Sequence, residues 1–548
     1  GFNTELANKL LVMIDGRTVY TPLFSGVRWD VQDYLLEDVE QIEVVSGPGG
    51  SVWGANAVNG VINITTQSAG ETQGFYGEAG GGNQLRDFFD VRYGGAITPA
   101  VHFRVYGKQQ TRASEELASG GDAQDGSHFA QGGFRLDAET PNRGRLTVQG
   151  DYYRGHEGIT AAGNTKVAGG NLLSRWSQTL SDGSSVRLQV YYDRTYLRQP
   201  FATGSFGPGG FFAEDLATSD LDFQYTLKVM GDHQLIWGAG YRFTDDQTKD
   251  APVLGFSPRN LRQGLASAFV QDQITLRRDA LLTVGSKLEH NEYTGFEFEP
   301  SVRLQHDLGE NRVLWGAVSR AVRTPSRIDR DIREPSQGQT ILAGGRNFES
   351  ERVVAYEAGF RAQLSSKLAG SLSLFYNDYR AIRSLNSTPV TFLPFYFAND
   401  LEGETHGLEL ACHAAITKWW RLDGGYTLLR THLHVRTGGT DFNNSLNETS
   451  DPQNQFSLGS SFELPKGVEF DAHFRWVDEL HGNDNGKVGI VPSYTDLSAR
   501  LAVPVSKHVE LSLTGQNLLD ARHPEFGNPG PNRVELRRNV FAKVAWRY

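Results

Sequence analysis

Between Val44 and Thr66 the chain reads VVSGPGGSVWGANAVNGVINITT, a glycine-rich stretch flanked by strand-like runs. Such loops cradle phosphates when a lysine and a hydroxyl back the glycine amides. Gly49 and Gly54 have the GxxxxG spacing, but Ala55 and Asn56 follow, so both groups are missing. Gly47 and Gly49 open a dinucleotide GxGxxG, and Val52 stands where the third glycine is needed. His432 and His434, two apart on one strand face, could bind a metal, although such a pair is more often simply solvated. HPEFG (523–527) is not the zinc motif HExxH, and no GxSxG nucleophile occurs. The sequence therefore predicts no enzyme, no metal site and no cofactor.

What remains are clusters of aromatics. PFATGSFGPGGFF carries Phe201, Phe206, Phe211 and Phe212; FLPFYF carries Phe392, Phe395, Tyr396 and Phe397; HPEFGNPGPNR carries His523, Phe526 and Arg533. Clustered exposed aromatics imply contact with something. With a few arginines they suit an apolar or aromatic metal chelate that bears negative charge. The competing reading is loop packed on loop.

The elements that position these residues follow from composition and period. The chain has 548 residues, with 62 Gly, 31 Phe, 20 Tyr and 9 Trp but only 1 Cys. No apolar run approaches the roughly 18 residues of a membrane helix. A net charge of −11 disfavours nucleic acid as a partner. Cys412 alone permits no internal disulfide. The opening GFNTELANKL starts in mid-pattern, without a signal peptide, so further residues upstream are expected.

From about residue 74 the pattern has period two. VEFDAHFRWVD puts Val468, Phe470, Ala472, Phe474 and Trp476 on one face and Glu469, Asp471, His473 and Arg475 on the other. The segments are long, short turns such as SDGS (181–184) and PKG (465–467) interleave with long polar loops, and aromatics gather at segment ends. These are the marks of an outer-membrane barrel. Strands counted from Phe75 come to about 22, ending on VFAKVAWRY, whose Val540, Ala542, Val544, Trp546 and Tyr548 share a face. A barrel that wide needs a plug, and residues 1–70, a small α+β unit, are expected to sit inside the barrel of residues 71–548.

VMIDGRTVY (12–20), LEDVEQIEVVSGPGGSVWGANAVNGVINI (36–64), GETHGLEL (403–410), GQNLLDARHPEFG (515–527) and the terminal aromatic resemble the TonB-dependent outer-membrane receptors. The resemblance covers essentially the whole chain. It implies an all-β, 22-stranded antiparallel barrel in the bacterial outer membrane, occluded by an N-terminal plug of which the first part is missing. It further implies a monomer in contact with outer-membrane lipid. The inner-membrane TonB complex would pull on a segment upstream of residue 1, and a scarce bulky ligand, expected to be a ferric siderophore, would bind outside. A cobalamin-type or other chelate receptor, a passive porin, and an outer-membrane enzyme or adhesin are the alternatives. The loop after IDG would reach the plug apex with Tyr20, Phe24, Arg28 and Trp29. In relatives an arginine precedes the Gly-Pro of the plug motif and pairs with barrel glutamates. Here Ser46 takes its place, with Glu357 and Glu409 at the matching positions, which predicts a weaker ionic lock between plug and barrel.

Overall fold

The computed structural model describes residues 8–140, 144–204, 207–228, 231–446, 450–484 and 487–548. The N-terminal unit is built on LLVMI and GVINITT. Leu10–Ile14 and Gly60–Thr66 pair in parallel at the centre of a four-stranded sheet, with Arg17–Thr18 and Val39–Ser46 at its edges. Alternation sends Leu11, Met13 and Val61 to one face, under Val45 and Trp53. Val12 and Ile14 go to the other, with Val19, Tyr34, Ile62 and Ile64. Among the described residues its helical content is one turn, Gly50–Trp53, and two 3-10 turns, Trp29–Val31 and Leu36–Asp38.

Around this unit runs a closed antiparallel barrel of 22 strands. Its first strand, Gly74–Gly82, pairs with its last, Asn539–Arg547, so no edge is left unpaired. At one end the connections are tight, as at 99–100, 278–279 and 366–367. At the other they include 113–126, 324–350 and 517–538. Leu188, Val190, Tyr192, Val302, Leu304, Leu511 and Trp546 lie exposed on the outer wall, as side chains facing lipid must.

The wall differs from the sequence expectation in height. About 9–11 residues cross a bilayer, yet Leu368–Thr388 has 21 residues and Phe392–Ala415 has 24. FLPFYF, expected as a loop, is therefore the upper part of a strand. Phe201, Phe211 and Phe212 likewise stand on strand ends, at Ser185–Phe201 and Gly210–Lys228, and His523 pairs in the short strand Arg522–His523. Backbone hydrogen bonding continues above the membrane because each neighbouring strand still offers partners, whatever its side chains.

Candidate functional site

The wall holds the plug by charged hydrogen bonds reaching inward. Arg92 and Arg104 flank Asp38 at 2.9 and 3.4 Å. Asp15 accepts from the amide and hydroxyl of Thr66 and from Gln149 Nε2, each at 2.8 Å. Arg17 pairs with Asp193, and Tyr34 donates to Asp151 at 2.8 Å. Burial and the Asp151 carboxylate push the Tyr34 phenol well above its ordinary range, so it stays a donor.

At the extracellular end, residues 20–31 form the apex. Leu23 and Val31 enter an apolar cluster with Phe129, Val167, Leu197, Phe212, Phe256 and Ile332 from six places on the wall and its loops. Phe24, Phe201 and Phe397 pack against it. The long connection 324–350 folds inward onto this apex. Ser326 and Asp329 form a capping box that starts the short helix Arg327–Asp331. Its first amides are tied to the plug: Arg327 N donates to the Pro22 carbonyl and Ile328 N to that of Leu23, both at 2.9 Å. The buried Arg327 guanidinium reaches Asp246 at 2.9 Å and lies over Phe256 at 5.0 Å.

Beneath that helix lies a closed charge cluster. Arg323 contacts Asp329 at 2.7 Å and Glu351 at 2.8 Å, Lys9 of the plug reaches Glu351 at 2.9 Å, and Arg383 stands 3.7 Å from Asp329. Burial opposes the charge on Asp329, but Arg323 and Arg383 outweigh it and hold the carboxyl below the ordinary aspartate range. A depressed carboxylate contributes stability that is complete above the unfolded value, about 3.9, and is lost as pH falls through the folded one. Proteolytic nicking of 324–350 should accordingly stay constant above about pH 4 and rise below it.

The residues singled out from sequence have different fates. Phe212, 2% exposed, with Phe24, Phe201 and Phe397, seals apex to wall, so these rings pack plug against strand ends. His523 is 7% exposed and stacks on Tyr494 at 4.6 Å, and Arg533 pairs with Glu535 at 3.3 Å. Phe211 lies on the outward face against Arg198 and Lys249, away from the lumen. Those still open are Trp29, 53% exposed, the half-buried Arg28 beside Asp30, Phe526, and the group Phe392–Phe395–Phe442, whose centroids lie 4.6 to 6.1 Å apart. Tyr20 and Tyr396 are half-buried, and Phe206 lies outside the described residues. Sequence reasoning missed Phe442 and Arg383, which lies over the Phe397 ring at 5.5 Å. Arg383 sits where register shifts interrupt the strand pairing, so the alternation that would have marked it fails there. His432 and His434 point outward from the wall, His432 stacked on His406 and His434 3.6 Å from Glu402.

A barrel family described as TonB dependent receptor-like matches residues 56–518, and the TonB-dependent receptor plug domain matches residues 1–61. The chain belongs to the TonB-dependent receptor family. The receptor is an outer-membrane β-barrel protein of a family of transporters rather than enzymes. It is 23% identical to the iron-regulated outer membrane virulence protein of Vibrio cholerae, over 95% of this chain and 83% of the relative. It is 21% identical to the ferrienterobactin receptor of Escherichia coli K12, over 94% and 81%. Its fold matches the ferric enterobactin receptor of Pseudomonas aeruginosa with a TM-score of 0.82 at 16% identity, covering 99% of this chain and 90% of that one. The siderophore receptor PirA of Acinetobacter baumannii matches at 0.80 and 14%, covering 98% and 90%.

In the receptor the glycine-rich segment 44–66 is a plug–wall joint. Ser46 Oγ donates to Glu409 Oε2 at 3.1 Å, and Ala55 N donates to Glu289 Oε2 at 3.0 Å. Gly47, Gly50 and Gly54 lie so close to Glu357, Glu299 and Glu289 that a Cβ would meet a carboxylate oxygen at 2.1–2.2 Å. Glycine is used here for close approach, not for phosphate. Beside Ser46 is a cavity of 760 Å³, lined among others by Gly47, Arg303, Glu357, Arg361 and Glu409. Among the described residues Glu357 has no cation within ion-pair distance. Glu357→Gln should therefore change plug stability by less than about 1 kcal/mol, where breaking a buried pair costs about 3–5. Ser46→Arg, entering the cavity between the two glutamates, should stabilise the plug by about 1.5–3 kcal/mol. Hydrogen exchange of the Gly60–Thr66 amides measures both.

Proposed function

We propose that this receptor imports a ferric siderophore of the catecholate class by proton-gradient-driven rearrangement of its plug. The observation that carries the ligand class is the chemistry left open around the apex: Trp29 and Arg28 on the plug, and the ring group Phe392, Phe395 and Phe442 on the wall and its loops. Aromatic faces and guanidiniums together recognise a ligand that is both aromatic and anionic. The names of the enterobactin receptors among the relatives support the same class. Energy would arrive through the TonB complex, acting on a segment upstream of residue 1. The plug would end near residue 70 and the monomeric barrel would span 71–548, set in outer-membrane lipid.

Titration of the purified full-length receptor with a ferric tris-catecholate, a ferric tris-hydroxamate and a cobalamin tests the ligand class. Saturable quenching of tryptophan fluorescence is expected from the first alone. Trp29→Phe should remove most of that change, and Arg28→Gln should weaken binding about tenfold, the loss of roughly one charge-assisted hydrogen bond. An equal response to cobalamin would sink the catecholate assignment.

A further inference from the structure

The outward wall carries a row of basic side chains that neither plug nor apex uses. Register sets His128 opposite His156, His156 opposite Lys166, and Lys166 opposite Arg198, while Arg198 and Lys249 both pair with Ala213. Their chain neighbours Phe129, Val167, Leu197 and Thr248 are buried, so alternation turns the row outward. On each strand it lies to the extracellular side of the exposed apolar residues: His156 beyond Tyr152, Lys166 beyond Leu172, Arg198 beyond Tyr196 and Lys249 beyond Phe243. That is headgroup level, above the hydrocarbon band.

Like charges facing each other across strands destabilise a sheet. Some other outward cations on this wall are neutralised, Arg194 by Asp215 at 2.7 Å and Arg262 by Asp245 at 3.1 Å. Within the row, Lys166, Arg198 and Lys249 make no ion pair among the described residues. Phe211 lies beneath two of the cationic groups, its ring centroid 4.0 Å from the Arg198 guanidinium and 4.5 Å from the Lys249 amine. It gathers them over one apolar base.

We propose that Lys166, Arg198 and Lys249, flanked by His128 and His156, bind the phosphorylated headgroup of an outer-leaflet lipid. The guanidinium offers a bidentate contact to a phosphate and the two amines neutralise the remaining charge. The acyl chains lie along Leu172, Tyr192 and Val190 below. The site is separate from the imported ligand and anchors one sector of the wall.

The test uses the full-length receptor in detergent, with bisphosphorylated lipid A as probe and native mass spectrometry as readout. The wild type should retain the probe, release it no faster when millimolar inorganic phosphate is added, and fail to retain the same lipid stripped of phosphates. Lys166→Gln/Arg198→Gln/Lys249→Gln should bind about a hundredfold more weakly, roughly fivefold per cation. The paired control Arg194→Gln/Arg262→Gln should bind as the wild type does. Heat-modifiable mobility reports folding, and should the triple variant misfold, Lys166→Gln alone should lose about fivefold. The proposal is overturned by undiminished binding in the folded variants, by equal retention of the dephosphorylated lipid, or by full competition from inorganic phosphate.

Discussion

Arg323→Met is expected to undock the 324–350 connection from the plug, at a cost of about 3–5 kcal/mol. Arg323 is 0% exposed and sits between Asp329 and Glu351. Methionine keeps much of the volume and removes the charge, which leaves two buried carboxylates sharing, among the described residues, only Lys9 and Arg383. Asp329 also caps the helix whose amides hold the Pro22 and Leu23 carbonyls, so the plug apex loses its tether together with the ion pair. Hydrogen exchange should rise in residues 327–331 and 20–31 together. Exchange confined to 327–331 would mean that loop and apex are not coupled. The exposed pair Arg380–Asp378, at 3.1 Å, is the control, and Arg380→Met should change nothing measurable.

Gly54→Ala should have an effect nearly as large, about 2–4 kcal/mol on the plug. Gly54 has φ +88°, and a Cβ there would stand 2.1 Å from Glu289 Oε1. The carboxylate would have to move, and in moving it would lose the Ala55 amide it now accepts. Gly163→Ala separates backbone strain from collision. Its φ is +104° with nothing within 4 Å of the added carbon, so only the conformational term remains, about 1 kcal/mol. Exchange of the Gly60–Thr66 amides reads the first, and thermal unfolding of the barrel the second. Equal effects at both glycines would mean that the plug has room beside Glu289.

The barrel was legible in the sequence because lipid imposes a rule on every strand that crosses it. Leu188, Val190 and Tyr192 must face outward, and the alternation survives any change of ligand. Above the membrane that rule lapses. Phe392–Glu402 carries no clean alternation, because its outward side meets water, and so a strand read as a loop. The helix at Arg327–Asp331 left a local signature in Ser326 and Asp329, three residues apart. The burial of Arg323 and Arg327 left none, since their partners Lys9, Asp246 and Glu351 lie far away in the chain. The aromatic clusters were visible as clusters, but sequence could not say which rings would seal the apex. Phe211 and Phe212 are adjacent, yet one enters the apical core and the other faces outward.

Energised import is tested most directly by following radiolabelled iron, presented as a tris-catecholate chelate, into cells whose only receptor for it is the full-length protein. The predicted result is saturable accumulation that stops when a protonophore collapses the gradient, while binding at the cell surface persists. Accumulation that continues undiminished without the gradient would make the protein a passive pore and contradict the central claim.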